Sequence, residues 1–403
     1  MNLKKNQLLV FTGQSLEKIS YPLGINWSSR IGRLYSFIVV VLFSVLSQMS
    51  WYNVCIGHCE EHLVRKVMII LQYILHFLLV LMMVGTSLFR PKPFAFPYQE
   101  VYTIDSILES YGARISKKDI FLLQYLQDAV TATVALLVAM KYIYDIILNN
   151  SFQLIYFSLR SWYTIVCWLI MDGIFAHCVN DIYLRLRELN KIAIQYSKEK
   201  LSVSSVDFTT NSNAFNKHND VVVIGIRLIQ HIHHGLYVLS TKVNKNFSIQ
   251  LLIASAICLN GTILLLHDIY YNIKADRNNT ETLIFNINFI FCYILRTLYI
   301  SYVCQRAKNE FRKMAIILHD AFLEHRLLRA EVIHFSLQLV HEDLTFSAFG
   351  LYDINIPHFC SITGAVITYL VMVIQLDTKF AIANYNAITT VGYTEHNFTN
   401  FKA

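Results

Sequence analysis

The 403-residue chain is 55% hydrophobic and only 15% charged, with 13 Gly and 5 Pro, a balance that excludes an ordinary soluble globule. Its mean hydropathy of +0.43 points to lipid as the solvent for much of its surface. The net charge of +7 includes no basic run interleaved with aromatics, so no nucleic acid partner is expected, and the charge is read as loop charge that orients the chain in a lipid bilayer.

Residues 1–33 carry Lys4, Lys5 and Lys18 but no apolar stretch of signal-peptide length, so the first span is expected to direct insertion. The hydrocarbon core takes about 20 apolar residues per helix. Seven stretches meet that need, at 34–55, 67–89, 120–144, 153–182, 249–271, 283–304 and 357–376. They predict an all-α, seven-transmembrane helix bundle over 34–376. Segments 1–33, 90–119, 183–248 and 305–356 hold about 25 of the 34 Lys and Arg, which assigns them to the cytoplasm. The amino terminus is then cytoplasmic and the carboxyl terminus extracellular. Residues 377–403, with Asn384, Asn386, Asn397 and Asn400, are expected to be a disordered extracellular tail. Sequons at Asn149, Asn278 and Asn397 fall on outside segments and are glycosylation candidates; those at Asn26, Asn246 and Asn260 fall at inside or buried places.

Helical periodicity continues past the membrane on the cytoplasmic side. Ile182, Leu186 and Leu189 extend the fourth span, and Phe311, Leu318 and Phe322 extend the sixth. Before the fifth, Ile229, Ile232, Leu236, Leu239 and Val243 form a stripe, with Gln230, His233, His234 and Lys242 off it. These extensions, within 183–248 and 305–356, predict a cytoplasmic anchor. The polar stretch Lys198 to Asp220 is expected to be a mobile loop.

Few clusters suggest chemistry. Cys55, His58, Cys59 and His62 share a helical face and are metal-ligand types, but no small domain surrounds them to be closed by zinc. They are read as a juxtamembrane turn with free or disulfide-bonded cysteines, and no metal is assigned. His231, His233 and His234 lack a carboxylate or cysteine neighbour and read as solvated or packing residues. Cys167, Cys178, Cys258, Cys292 and Cys360 lie in apolar stretches and read as small buried hydrophobes. No nucleophile elbow, Walker loop or dinucleotide fingerprint occurs, so neither an enzyme nor a cofactor is expected.

Polar residues at span depth normally face the bundle interior or a wet cavity. Here they are Gln72, His76, Arg160, Asp172, Asn260, Asn286, Asn288 and Arg296. Asp172 and Arg296 suit a buried ion pair, which serves either the fold or an ion pathway. In the outer half, Tyr73, His76, Tyr142, Trp162, Tyr163, Tyr270, Asn286, Asn288 and Phe289 gather from five spans. They are candidates for a small-molecule pocket, although Trp and Tyr also decorate membrane interfaces.

The last span begins at Pro357, where a missing N–H costs nothing, and from Phe359 it rises roughly 27 Å to Leu376. Ser361, Gly364, Thr368 and Gln375 share one face. Such a small and polar stripe either packs closely on a neighbour or lines water.

The run Thr368-Tyr369-Leu370-Val371-Met372-Val373-Ile374-Gln375-Leu376 resembles the hallmark of insect gustatory receptors, Thr-Tyr, five mostly apolar residues, then Gln-Phe. Phe346-Ser347-Ala348-Phe349-Gly350-Leu351-Tyr352-Asp353-Ile354-Asn355 is similar to the family's lead-in. The resemblance implies a ligand-gated, non-selective cation channel in the plasma membrane of gustatory receptor neurons, a homo- or hetero-tetramer whose pore is lined by 357–376. Cations permeate, and a small tastant binds in the outer half. Gln375 and Leu376 would form the gate, with Thr368 and Tyr369 deeper as lining or packing residues. Two departures stand out: Leu376 replaces the usual Phe, and the chain continues to Ala403. The sweet-taste branch has Glu after Thr-Tyr where this chain has Leu370, so a bitter or deterrent plant compound is the expected ligand and a fructose-type receptor the alternative. An odorant receptor subunit would have a different last helix. A G-protein-coupled receptor would have an outside amino terminus, an Asp-Arg-Tyr after span 3 and an Asn-Pro-x-x-Tyr in span 7. A transporter would show internal repeats.

Overall fold

The computed structural model describes residues 14–25, 29–57, 63–90, 94, 98–112, 117–149, 152–204, 212–274, 280–322 and 329–399. In chain order the helices are α1 Gln14–Ser20, α2 Arg30–Gly57, α3 Leu63–Phe89, α4 Tyr98–Ser110, α5 Lys117–Asn149, α6 Phe152–Ser204, α7 Ser212–Lys274, α8 Thr280–Phe322, α9 Arg329–His341 and α10 Ile356–Thr399. The strands β1 Ser347–Ala348 and β2 Tyr352–Asp353 form a short hairpin.

The fold is all-α, with a seven-helix bundle of α2, α3, α5, α6, α7, α8 and α10. Over the described residues, six of these are long and apolar enough to cross a membrane. α5 is tied to α6 by polar contacts: His177 Nε2 lies 3.3 Å from Asp128 and Gln127 donates to the Gly173 carbonyl at 2.9 Å.

The central element is α6. The apolar stretch of this helix is 89% buried within the chain, and several of its polar side chains are paired inside. Arg185 makes two 2.8 Å bonds to Asp105 of α4. Asn180 accepts from Arg306 at 2.6 Å, and Asn190 donates to Glu310 at 3.0 Å. A helix apolar or polar all round is stable in such a place only if every face finds a partner.

The stripes expected to form an anchor are buried: Ile182, Leu186 and Leu189 from α6, Ile229, Ile232, Leu236, Leu239 and Val243 from α7, and Phe311 and Leu318 from α8. The Phe322 side chain lies outside the described residues. One off-stripe residue is also internal: His233 is fully buried, its ring 4.0 Å from that of Phe311 and edge-on to Phe335. α9, not expected from the sequence, closes the anchor with Val332 and Phe335 inward. Its polar face meets α7 through Arg227 and Glu331 at 2.6 Å.

Two regions expected to be irregular, and the described part of 1–33, are more ordered than their composition suggests. The Lys198–Asp220 stretch is helical to Ser204 and again from Ser212, since it contains no Gly or Pro to stop a helix. Residues 205–211 of it lie outside the described set. The tail expected to be disordered is helical to Thr399, again with no Pro and with Gly392 its one helix-weakening glycine. The described part of 1–33 does not simply trail into the cytoplasm. Leu16 and Ile25 are buried, and Tyr163 of α6 donates to the Leu23 carbonyl at 2.8 Å.

The hairpin sets the start of α10. In its three-residue loop, 349–351, Phe349 and Gly350 adopt φ of 53° and 73°, as the central pair of a turn closed by the Leu351 N–H donating to the Ala348 carbonyl. Phe346 packs edge-on to Phe175 of α6, and Asn244 of α7 accepts from the Ser347 N–H at 3.0 Å. Asn355 then caps α10, its side-chain oxygen accepting from the His358 N–H at 2.8 Å. Tyr352 stacks on the His358 ring at 4.0 Å.

Candidate functional site

A cavity of about 280 Å³ opens among α3, α5, α6, α7 and α8. Four of the five helices contribute a stripe at helical spacing, and α5 contributes one residue. From α3 come Ile69, Gln72, Tyr73 and His76, and from α8 come Phe285, Phe289 and Tyr293. Phe157, Arg160, Ser161 and Ile165 of α6 form the facing wall. Tyr142 of α5 and Gly261, Leu264 and Leu265 of α7 complete it. Gly261 is required here: a Cβ would lie 2.8 Å from the Tyr293 ring and 3.0 Å from Gln72.

The polar groups of the cavity are held by neighbours. Gln72 accepts from Asn260 at 2.8 Å, and Asn260 also donates to the Met68 carbonyl at 3.1 Å. The Tyr73 hydroxyl donates to the Ser47 carbonyl. Arg160 lies with its guanidinium carbon 3.5 Å from the centre of the Tyr73 ring and donates to the Tyr73 carbonyl at 3.0 Å.

Of the nine pocket candidates, Tyr73, His76, Tyr142 and Phe289 line this cavity. The other five do not. Tyr163 turns toward Leu23 and packs its ring against Phe43. Trp162 is half-buried with its indole N–H unpartnered. Tyr270 lies near the end of α7, under Lys274, and the exposed Asn288 donates back to Ile284 of its own helix at 2.8 Å. Asn286 is buried beside the lining row, its amide nitrogen unpartnered. Depth in the membrane had selected them, but rotation about each helix axis decides who faces inward. Arg160, Ser161, Phe157, Phe285 and Tyr293 were missed as lining residues, although their i, i+3, i+4 and i+8 spacing was readable.

Asp172 and Arg296 do pair, in a two-pronged bridge of 2.7 and 3.0 Å. Arg296 also lies over Trp168 at 5.5 Å, and Gln250 donates to Asp172 at 3.4 Å. The pair joins α6 to α8 and is closed off by protein, which suits a role in the fold. Cys167, Cys178 and Cys258 are buried and free, whereas Cys360 on α10 is exposed, contrary to expectation.

α10 is a second candidate region. Only 6% of its apolar stretch is buried within the chain. Val366, with Ile362 and Val373 beside it, packs on Met68 and Ile263 of α3 and α7. Ser361, Gly364, Thr368 and Gln375 lie on the opposite side of the helix and are exposed. Ser361 and Thr368 turn their hydroxyls to the Pro357 and Gly364 carbonyls, each at 3.0 Å. Ile367, Tyr369 and Leu376 are bare as well.

The side chains of Cys55, His58, Cys59 and His62, and those of Asn149, Asn278 and Asn397, lie outside what the structure describes. Among the described residues no group of three or more His, Cys, Asp or Glu is gathered to hold a metal ion.

Residues 15–380 match the family described as 7tm chemosensory receptor. Among sequence relatives, gustatory receptor 28b of Drosophila melanogaster is 22% identical over 333 residues, covering 75% of this chain and 68% of that one. Gustatory receptor 28a of the same species is 26% identical over 160 residues, covering 37% and 35%. Among solved structures, the insect olfactory receptor OR5 from Machilis hrabei has the same fold, with a TM-score of 0.61 at 12% identity over 90% of this chain and 97% of that one. The same receptor in complex with eugenol gives 0.59 at 11% identity over the same shares.

Proposed function

This chain belongs to the 7tm chemosensory receptor family, and from that premise we propose that it is a gustatory receptor subunit acting as a ligand-gated, non-selective cation channel in the plasma membrane of gustatory receptor neurons. The observation that carries the channel reading is α10, a membrane-length helix whose small and polar stripe faces away from its own chain. Four such helices around an axis, in a homo- or hetero-tetramer, give a wet pore walled by Ser361, Gly364 and Thr368. Gln375 and Leu376 serve as its gate, and Tyr369 packs beside it. The cavity beneath Tyr73, His76, Tyr142 and Phe289 is the tastant site. A bound eugenol in a receptor of the same fold supports a small ligand. Within the domain plan, 34–376 is the receptor channel and 183–248 with 305–356 its cytoplasmic anchor.

The two named sequence relatives are gustatory receptors, which favours taste over an odorant receptor subunit. Leu370 favours a bitter or deterrent plant compound over a fructose-type sugar. The test is expression of the full chain in a cell line, with bitter plant compounds and sugars applied while calcium entry and current are recorded. A bitter compound should open a cation current. Responses that need G-protein signalling and carry no current through the chain would overturn the channel reading. Sugar mapped to Asn26 but not to Asn278 would overturn the topology.

A further inference from the structure

Among the described residues, the cavity contains a cation with no anion. Arg160 is 3% exposed, and its Nε has no hydrogen-bond partner. Its guanidinium meets the Tyr73 carbonyl and the Tyr73 ring. None of the described residues lining the cavity is acidic. Two other arginines are treated differently: Arg185 of α6 has Asp105 and Arg296 of α8 has Asp172, each through two bonds, whereas Arg306 of α8 bonds the Asn180 amide oxygen and lies over the Tyr183 ring, away from this cavity. A guanidinium stays charged when buried, and an unpaired charge at membrane depth is costly and marks function. The remaining walls are mostly aromatic and aliphatic, with Phe157, Phe285, Phe289 and Tyr293 among them.

We propose that this cavity takes a small aromatic carboxylic acid, its ring among the phenylalanines and its carboxylate against Arg160. The proposal rests on the cavity being the ligand site and adds the charge of the ligand. The anion completes what the fold leaves open: a charge-assisted bond to the guanidinium, with Ser161 and His76 on the same walls as further polar partners. Neutral analogues keep the ring contacts and lose the ion pair.

The full chain in phosphatidylcholine nanodiscs tests this directly. Binding of 3-phenylpropionate and cinnamate is compared with their methyl esters and alcohols, by ligand-induced shift of thermal unfolding and by titration. The acids should bind about tenfold or more tightly than the esters, the range of a charge-assisted hydrogen bond. Arg160→Gln should erase that preference, and Arg160→Lys should keep part of it. The ligand pairs on the unaltered chain decide the matter even if both variants fail to fold. Esters binding as tightly as acids would overturn the proposal. A preference that vanishes when phosphatidylglycerol is added would assign the anion to a lipid headgroup and overturn it too. Phe289→Ala separates the two readings: weakened binding of acids and esters alike keeps the cavity as the site, whereas unchanged binding of every probe removes the site itself.

Discussion

α6 and α10 are both long helices that cross the membrane region, yet 89% of one apolar stretch is buried within the chain and 6% of the other. The difference lies in their polar residues. Those of α6 include large, charged side chains matched inside the same chain, Asp172 to Arg296 and Arg185 to Asp105. Those of α10 are small or neutral, Ser361, Gly364, Thr368 and Gln375, and that face lies exposed, away from the rest of the described chain. One helix holds the chain together; the other is left for whatever surrounds it. Stability and conduction should therefore respond to different substitutions.

The largest effect is expected from Asp172→Ala, which strands the Arg296 guanidinium in a buried place. A loss of roughly 3–5 kcal/mol follows for a broken buried pair, seen as failed surface expression or collapse of the thermal unfolding midpoint. Asp172→Leu combined with Arg296→Leu should recover most of it; a double variant as unstable as the single one would break the pairing argument. Next comes Gly364→Leu on α10. It should leave unfolding unchanged and remove most of the current, so a destabilised but conducting variant would reverse the assignment. Leu376→Ala should raise leak at unchanged surface expression. Asn355→Ala removes the α10 cap and should cost about 1 kcal/mol, read as a modest fall in unfolding temperature.

The smallest effect belongs to the anchor surface. Arg227 holds the Glu331 carboxyl below its ordinary value of 4.5. A depressed carboxyl contributes stability that is present above about pH 4.5 and fades as the pH drops through its lowered folded value. Glu331→Gln should therefore differ slightly from the parent at neutral pH and merge with it under acid, in parallel pH–unfolding curves.

The bundle was legible because a run of about 20 apolar residues has the length of a bilayer crossing and is hard to bury anywhere but in lipid. The anchor was legible because its apolar stripes continued beyond those runs. The short α4 and α9 escaped, since thirteen residues with Glu, Asp, Gln and His show little periodicity until α7 is there to receive them. Tyr163 and Arg160 show the limit at the cavity. Both sit at similar depth on α6, three residues apart, and only the packing of α1 and α2 on one side and α3 on the other tells which faces the cavity. His233 makes the same point, because a histidine between His231 and His234 reads as solvated or packing until Phe311 and Phe335 close over it.

The Asp172–Arg296 bridge also bears on how the protein is made. Its two members are 124 residues apart, so the acid on α6 leaves the ribosome long before the arginine on α8 exists. During that interval a span carrying Arg160, Asp172 and His177 meets lipid or the insertion machinery with an acid whose counter-charge has not been synthesised, at a cost of about 2.5–3.5 kcal/mol for each charge at span centre. The helix that ends deepest in the protein is thus the one least able to settle alone. A nascent chain stopped after α7 should remain a substrate for quality control, and only translation through Arg296 should release it.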